Sequence, residues 1–276
     1  MKGNELAKSP QLSTFRRFMR RSVGNNYKSV LVIIGFFLFW EVGVRVCNTP
    51  EFVLPTPSSA IAHLFFKQPD ANYNWALHIR TTIYEFLIGF AVTAVLGVGL
   101  AIVIVWSKRF KNLALPLFTF INSLPIIAIA PIILLWMGYG LKTNILIAFL
   151  VSFFPVIINT MTGLDSIEDE LLDLIRYLDA SKFQIFVKIR IPNSLPYIFS
   201  GLKICSTMSI VGAIVGEFIA SDRGLGYIII NSQYAMDTPP IFSALIVISL
   251  SGAALYWIVA LFERLLMPWA FKHERV

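Results

Sequence analysis

The sequence predicts an all-α, polytopic membrane protein with six transmembrane helices, and three observations carry that prediction. Hydrophobic residues make up 57% of the 276 positions and charged residues 14%, against about a quarter charged in soluble domains. The apolar residues gather into runs of about 20, the length a helix needs to cross a bilayer core. Lysine and arginine fall between those runs, and they do so unevenly. The runs cover residues 29–46, 79–106, 113–136, 144–161, 197–220 and 241–261, giving a single membrane domain over 29–263 between a basic tail at 1–28 and a second tail at 264–276.

The first run follows Arg16, Arg17, Arg20 and Arg21, so it also reads as the apolar core of a signal peptide. Its continuation past Glu41 to Val46, with no small-x-small cleavage pattern after it, favours a retained helix. Between Cys47 and His78 the chain is broken by Pro50, Pro55, Pro57 and Pro69, too polar to span, with a start signal for a short helix at Pro57-Ser58-Ser59. In the second run Gly89, Thr93, Gly97 and Ala101 recur every fourth position, as Gly212, Gly216 and Ala220 do in the fifth. Such stripes let helices approach closely in lipid. Packing within the chain is preferred over packing between subunits.

The third run carries Pro116, Pro125 and Pro131, and the fourth carries Pro155. Each removes a backbone hydrogen bond that protein or a wet cavity must replace. Asn122, Ser123 and Pro125 are therefore candidates to line a pathway, with Ser206, Ser209 and Glu217 of the fifth run. An ordinary kink reads the same way. The few charges in the runs, Glu41, Arg45, Glu85, Lys203 and Glu217, are expected near an interface or a polar cavity.

Orientation follows from the basic residues. Seven lie in the N-terminal tail, three in 107–112, four in 162–196 and three in the C-terminal tail, whereas the alternate segments hold only Arg45, Lys67, Arg80, Lys142 and Arg223. Both termini and the loop at 162–196 are expected in the cytoplasm. A net charge of +7 does not point to nucleic acid, because the cations are not gathered on a soluble face.

No catalytic or cofactor chemistry is expected. His63, His78 and His273 stand apart, and no H-E-x-x-H or Cys/His ligand spacing occurs. Cys47 and Cys205 fall at a membrane face and inside a span, an arrangement that suits neither a disulfide nor a metal pair. The run Gly138-Tyr139-Gly140-Leu141-Lys142-Thr143 lacks a lysine directly after glycine, so no phosphate-binding loop is read there.

The stretch 171–200 is charged and amphipathic between two apolar runs, with Asp173, Arg176, Asp179, Lys182, Lys188 and Arg190 interleaved with large apolar residues at helical spacing. Ser181-Lys182-Phe183-Gln184 matches the S-x-x-Q capping box. Two short helices meeting near Asp179 and Ala180 are predicted, with Pro192 and Pro196 ending the second and leading into the fifth span.

These residues resemble the EAA motif of ABC importer permeases, with Asp173-Leu174-Ile175, then Asp179, then Ile189-Arg190-Ile191-Pro192 on the family pattern. Asp179 stands where the family has glycine; of the other residue types, Asp is among those that best tolerate a left-handed turn. Further blocks resemble the nitrate, sulfonate and taurine branch: Leu54-Pro55-Thr56-Pro57, Leu115-Pro116 through Ser123-Leu124-Pro125, Pro131 with Leu135-Trp136-Met137-Gly138, Phe153-Phe154-Pro155 with Asn159-Thr160, Glu217-Phe218-Ile219-Ala220 with Gly224-Leu225-Gly226, and Glu263-Arg264 with Pro268-Trp269. Glu85 departs from the branch, which commonly has Arg there; it is expected near the outer mouth, touching substrate, binding protein or headgroups. Gly224-Leu225-Gly226 is read as an external turn before a re-entrant segment at 227–234, with binding-protein contact as the second reading.

The resemblance implies a type I ABC importer permease, working by alternating access in an inner membrane. It implies a homodimer, two cytoplasmic ATPases and an external binding protein, with ATPase coupling through Asp173, Arg176, Asp179, Ala180, Ser181, Phe183 and Pro192. The implied substrate is a small anion such as nitrate or a sulfonate, or a small heterocycle such as a vitamin precursor. An ion-coupled secondary carrier is the alternative; it predicts ionisable groups deep in the membrane, and the sequence places none there with certainty.

Overall fold

A computed structural model describes residues 31–65 and 74–269. The tail 1–28, Lys67 and Pro69 of the external segment, and the C-terminal residues 270–276 lie outside the described residues. The described residues fold into helices joined by short turns. Helix α1 covers 31–46, followed by α2 (Pro57–Phe65), α3 (Trp75–Trp106), α4 (Lys108–Ser123), α5 (Ile126–Met137) and α6 (Leu141–Asp165). Then come α7 (Asp169–Tyr177), α8 (Lys182–Ile185), α9 (Ile191–Ala220), α10 (Leu225–Tyr234) and α11 (Thr238–Leu266).

Helices α3, α6, the unit running through α9 and α11 are each long and apolar enough to cross a membrane. The small-residue stripes explain how they pack. Helix α6 is wedged between α3 and α9, and the stripes face it: a Cβ on Gly89 would stand 2.7 Å from Ala148 Cβ, and one on Gly212 would stand 2.6 Å from Ala148 Cα. Gly97 meets Val156 and Gly216 meets Asn144 in the same way. Between the glycines, the Thr93 and Ser152 hydroxyls hydrogen-bond at 2.9 Å. The stripes therefore serve packing within the chain, as preferred from the sequence.

A quantitative consequence follows. Ala148 Cα and the Ile147 carbonyl, 3.0 Å from the added Cβ, are backbone atoms that cannot step aside, so Gly212→Ala should cost about 1–3 kcal/mol. Gly99 has nothing within 4 Å of its added Cβ, so Gly99→Ala should be neutral or slightly stabilising. Thermal unfolding of the two purified variants checks the contrast.

Two expectations require correction. The run at 113–136 is not one continuous helix: α4 and α5 meet at a bend of 91°, so the pair is a broken span or a re-entrant loop. Pro125 cannot donate a backbone hydrogen bond, and the chain leaves the helix there. Leu124 N–H caps back to Ile121 O at 3.2 Å, and Ser123 Oγ donates to Phe120 O at 2.7 Å. Pro116 and Pro131 are absorbed inside α4 and α5. The described residues thus supply four continuous spans and the bent pair, with 31–46 as the visible part of the first predicted run.

The second correction concerns Pro192 and Pro196, which do not end the loop helix. A π-helical turn, Phe186–Arg190, joins α8 directly to α9, with Ile191 N–H donating to Phe186 O, and Pro196 lies inside α9. A proline at 192 cannot take the ordinary i to i−4 bond, and the wider turn before it relieves that conflict.

The outer faces of this bundle carry exposed Val95, Leu135, Trp136, Leu250 and Trp257. In water such a surface would drive association; in a bilayer it meets lipid or a second subunit.

Candidate functional site: a coupling knob and a buried acid cluster

The first site is the knob at residues 169–190. Helix α7 ends in a Schellman-type turn: Ala180 N–H donates to Ile175 O at 3.4 Å and Leu178 N–H to the same carbonyl at 3.2 Å. Asp179 occupies the position after the cap with φ 55°. The left-handed turn therefore survives with aspartate in place of glycine. Helix α8 begins immediately after it with both bonds of the capping box formed, Gln184 N–H to Ser181 Oγ at 3.2 Å and Ser181 N–H to Gln184 Oε1 at 2.9 Å. Local sequence thus fixes both arms of the knob and the angle between them.

The knob's tip is apolar and open. Tyr177 is 88% exposed, Leu178 75% and Phe183 65%. Its inner side is anchored instead, with Leu172, Ile185 and Phe186 buried and Phe186 stacked edge-on against Trp106 at 5.0 Å. Asp165, at the end of α6, pairs with Lys111 of α4 at 2.5 Å and with Arg190 of the π turn at 3.5 Å. Asn193 Nδ2 donates to Ser166 Oγ at 2.8 Å. The base of the knob is thereby tied to α4, α6 and α9 together. Asp173, Ala180, Ser181 and Phe183 fall on the knob as the sequence expected, and Pro192 lies in the first turn of α9. The Arg176 side chain lies outside the described residues.

The second site lies at the far end of α9, where the chain turns back on itself. Glu217 is buried, accepting from Thr82 Oγ1 at 2.5 Å and from Gly226 N–H at 2.5 Å. Leu225 N–H donates to Thr82 Oγ1 at 2.8 Å, and Gly224 N–H to His78 Nδ1 at 3.0 Å. The His78 ring stacks on Tyr227 with centroids 5.8 Å apart. Gly224 has φ 110° and ψ 170°, a backbone region open essentially to glycine alone, and a Cβ there would run into the Glu217 carboxyl. The glycines of the Gly224-Leu225-Gly226 turn are required so that backbone can touch Glu217. The turn is not a free external loop: Leu225 and Gly226 are buried.

Glu85 belongs to the same buried cluster, not to the exposed surface. It is 0% exposed and accepts from Asn144 Nδ2 at 2.8 Å. Two carboxyls therefore lie inside the bundle, where the sequence placed them near an interface or polar cavity. Of the other pathway candidates, Asn122 and Ser123 are exposed at the 91° bend beside Pro125. Ser206 and Ser209 are buried, donating to Lys203 O at 2.7 Å and Ser206 O at 3.2 Å.

Sequence reasoning missed Asp165, Thr82, His78 and Asn144. A signal for two of them was present: positions 78, 82 and 85 continue the helical face of Gly89, Thr93 and Gly97, so polar groups on that face had to meet α6 and α9. Among the described residues no group of three or more His, Cys, Asp or Glu is arranged to hold a metal, and Cys47 and Cys205 are free thiols.

Fold and site together are those of a helical membrane bundle that carries a two-armed, apolar-tipped knob. The chain matches the family described as the binding-protein-dependent transport system inner membrane component over residues 72–267, and it belongs to that family. The riboflavin transport system permease RibX of Chloroflexus aurantiacus is 31% identical over 261 residues, covering 95% of each chain. The formylaminopyrimidine transport permease ThiX of Halalkalibacterium halodurans is 29% identical over 242 residues, 88% of this chain and 95% of its own. The putative aliphatic sulfonates transport permease SsuC of Bacillus subtilis is 29% identical over 247 residues, 90% and 89% of the two chains. The inward-facing MetNI methionine ABC transporter has the same fold, with a TM-score of 0.57 at 17% identity over 69% of this chain and 98% of that one.

The protein is accordingly a membrane permease subunit of an ATP-driven importer of the nitrate, sulfonate and taurine branch, and not an enzyme. Permeases of this family work with an ATPase and a substrate-binding protein.

Proposed function

We propose that two copies of this chain form the pathway, that the knob of each docks on one of two cytoplasmic ATPases, and that both termini lie on that same side. The observation that carries this reading is the knob itself, a capped, two-armed projection whose Tyr177, Leu178 and Phe183 stand exposed among the described residues and whose base is tied by Asp165 to α4 and π turn alike. Closure of the ATPases would draw the knobs together, and the rigid base would convert that motion into rocking of α4, α6 and α9, exposing the pathway first to one side and then to the other.

The orientation has its own test. A cysteine introduced by Ser181→Cys, in a background with Cys47→Ser, should resist impermeant maleimide applied to intact cells and label once they are opened. Ready labelling from outside would reverse the topology.

For the substrate we favour a small heterocycle of the vitamin or vitamin-precursor kind over a small anion such as nitrate or a sulfonate. Support comes from the 31% identity to the riboflavin permease, against 29% to a sulfonates permease and 26% to a nitrate permease. In such systems the external protein does most of the selecting. The binding protein that operates with this permease should gain thermal stability with riboflavin or a formylaminopyrimidine and gain none with nitrate or taurine. Stabilisation by nitrate alone would return the anion reading.

The secondary-carrier reading retains one supporting observation, the buried Glu85 and Glu217, since carriers hold such groups deep in the membrane. Family membership and the knob favour the ATP-driven reading over it.

A further inference from the structure

The cluster at the far end of α9 has more hydrogen-bond acceptors than donors. Its oxygens are the four of Glu85 and Glu217 and the Asn144 amide oxygen, and the donors that reach them are Asn144 Nδ2, Thr82 Oγ1 and Gly226 N–H. Glu85 Oε2 and Asn144 Oδ1 are fully buried with no donor at all. The two carboxyls, contributed by α3 and α9, are brought to one place: Glu217 bonds Thr82, one turn before Glu85 on α3, and Asn144, which holds Glu85, packs against Gly216 beside Glu217. Two carboxylates in that position repel, and each buried oxygen left without a donor is destabilising. Among the described residues the bonds to the two carboxyls come from neutral groups. His78 of α3 presents Nδ1 as an acceptor to Gly224, α6 contributes the neutral Asn144, and Asp222 and Arg223 of the turn pair with each other at 3.6 Å in exposed positions.

We propose that Glu85, Glu217 and Asn144 form a binding site for a small monovalent cation, a proton or a sodium-sized ion, that ties α3 to α9 beside the Gly224–Gly226 turn. Either ion supplies what the cluster lacks. A proton on one carboxyl donates to the other and removes one charge. A sodium ion is a hard cation that takes carboxylate and amide oxygens together, and two carboxylates with one amide make an all-oxygen set of the kind hard cations prefer. The site is a property of this chain's helices and holds whatever solute the permease carries.

The test uses the full chain in lipid nanodiscs, wild type beside Glu85→Gln and Glu217→Gln. Glutamine keeps the shape and supplies an N–H donor, so both variants should retain the helical content of the wild type, and the wild-type readings decide the question on their own. If a proton is the ligand, infrared spectra in sodium-free buffer show the carbonyl stretch of a protonated carboxyl, and either substitution removes it. If sodium is the ligand, radioactive sodium binds saturably to the wild type but not to Glu85→Gln, and added sodium removes any carbonyl stretch seen without it. The proposal is overturned if the wild type shows neither signal, or if a protonated-carboxyl stretch persists unchanged through both substitutions.

Discussion

Ala180→Arg should abolish substrate-stimulated ATP hydrolysis in the reconstituted complex while leaving the permease folded and in the membrane. Ala180 follows the left-handed Asp179 and precedes the Ser181 cap, so it stands at the apex where the two arms meet. Its own N–H is used inside the turn, to Ile175 O, and its side chain is not part of the buried core. A long cation there leaves the turn's bonds intact but enters the docking face between Leu178 and Phe183 with no partner. Loss at the centre of an interface costs about 2 kcal/mol or more, on the order of thirtyfold in affinity. Ala180→Ser, which adds one oxygen, should keep most coupling. The measurement is ATPase rate with and without loaded binding protein, beside the unfolding temperature of the permease. Undiminished stimulation in Ala180→Arg would remove the knob from the coupling path.

Gly224→Ala should be the most damaging small substitution in the chain. Two costs add there. The backbone at φ 110° and ψ 170° disfavours any side chain, and the new methyl would overlap the Glu217 carboxyl, which cannot swing away without surrendering its bonds to Thr82 and Gly226. Together these amount to about 2–5 kcal/mol, a large share of an ordinary domain's stability. Gly138 provides the control, because its φ is 77° but nothing lies within 4 Å of an added Cβ; Gly138→Ala should cost the strain alone. In a Glu217→Ala background the same Gly224→Ala change should also cost only the strain, so the two substitutions should be non-additive in thermal unfolding. Equal costs at positions 138 and 224 would show that the Glu217 contact contributes nothing.

Most of the architecture was legible because the physics that fixes it is local. Apolar runs set the spans, Ser181 and Gln184 set the start of α8, and Asp179 was readable as a residue able to take a left-handed turn. The stripe Gly89, Thr93, Gly97 and Ala101 was readable as a packing face, although only the structure shows that α6 is what it packs against. The misread features depend on contacts between distant segments or on choices among equivalent local signals. Pro116, Pro125 and Pro131 look alike in sequence, but only at Pro125 do Ser123 and Leu124 satisfy the freed carbonyls and let the chain turn through 91°. Pro192 was read as a stop, whereas one wide π turn carries the helix past it. Glu85 and Glu217 were each placed singly near an interface, and nothing local says that α3 and α9 bring them together with Asn144.

The measurement that bears most directly on the whole account is uptake into proteoliposomes holding this permease with its ATPase, supplied with the loaded binding protein. The account predicts uptake that requires ATP inside, the ATPase and the binding protein together, and that persists when ion gradients are collapsed. Uptake by this chain alone, driven by a proton or sodium gradient without ATP, would contradict it.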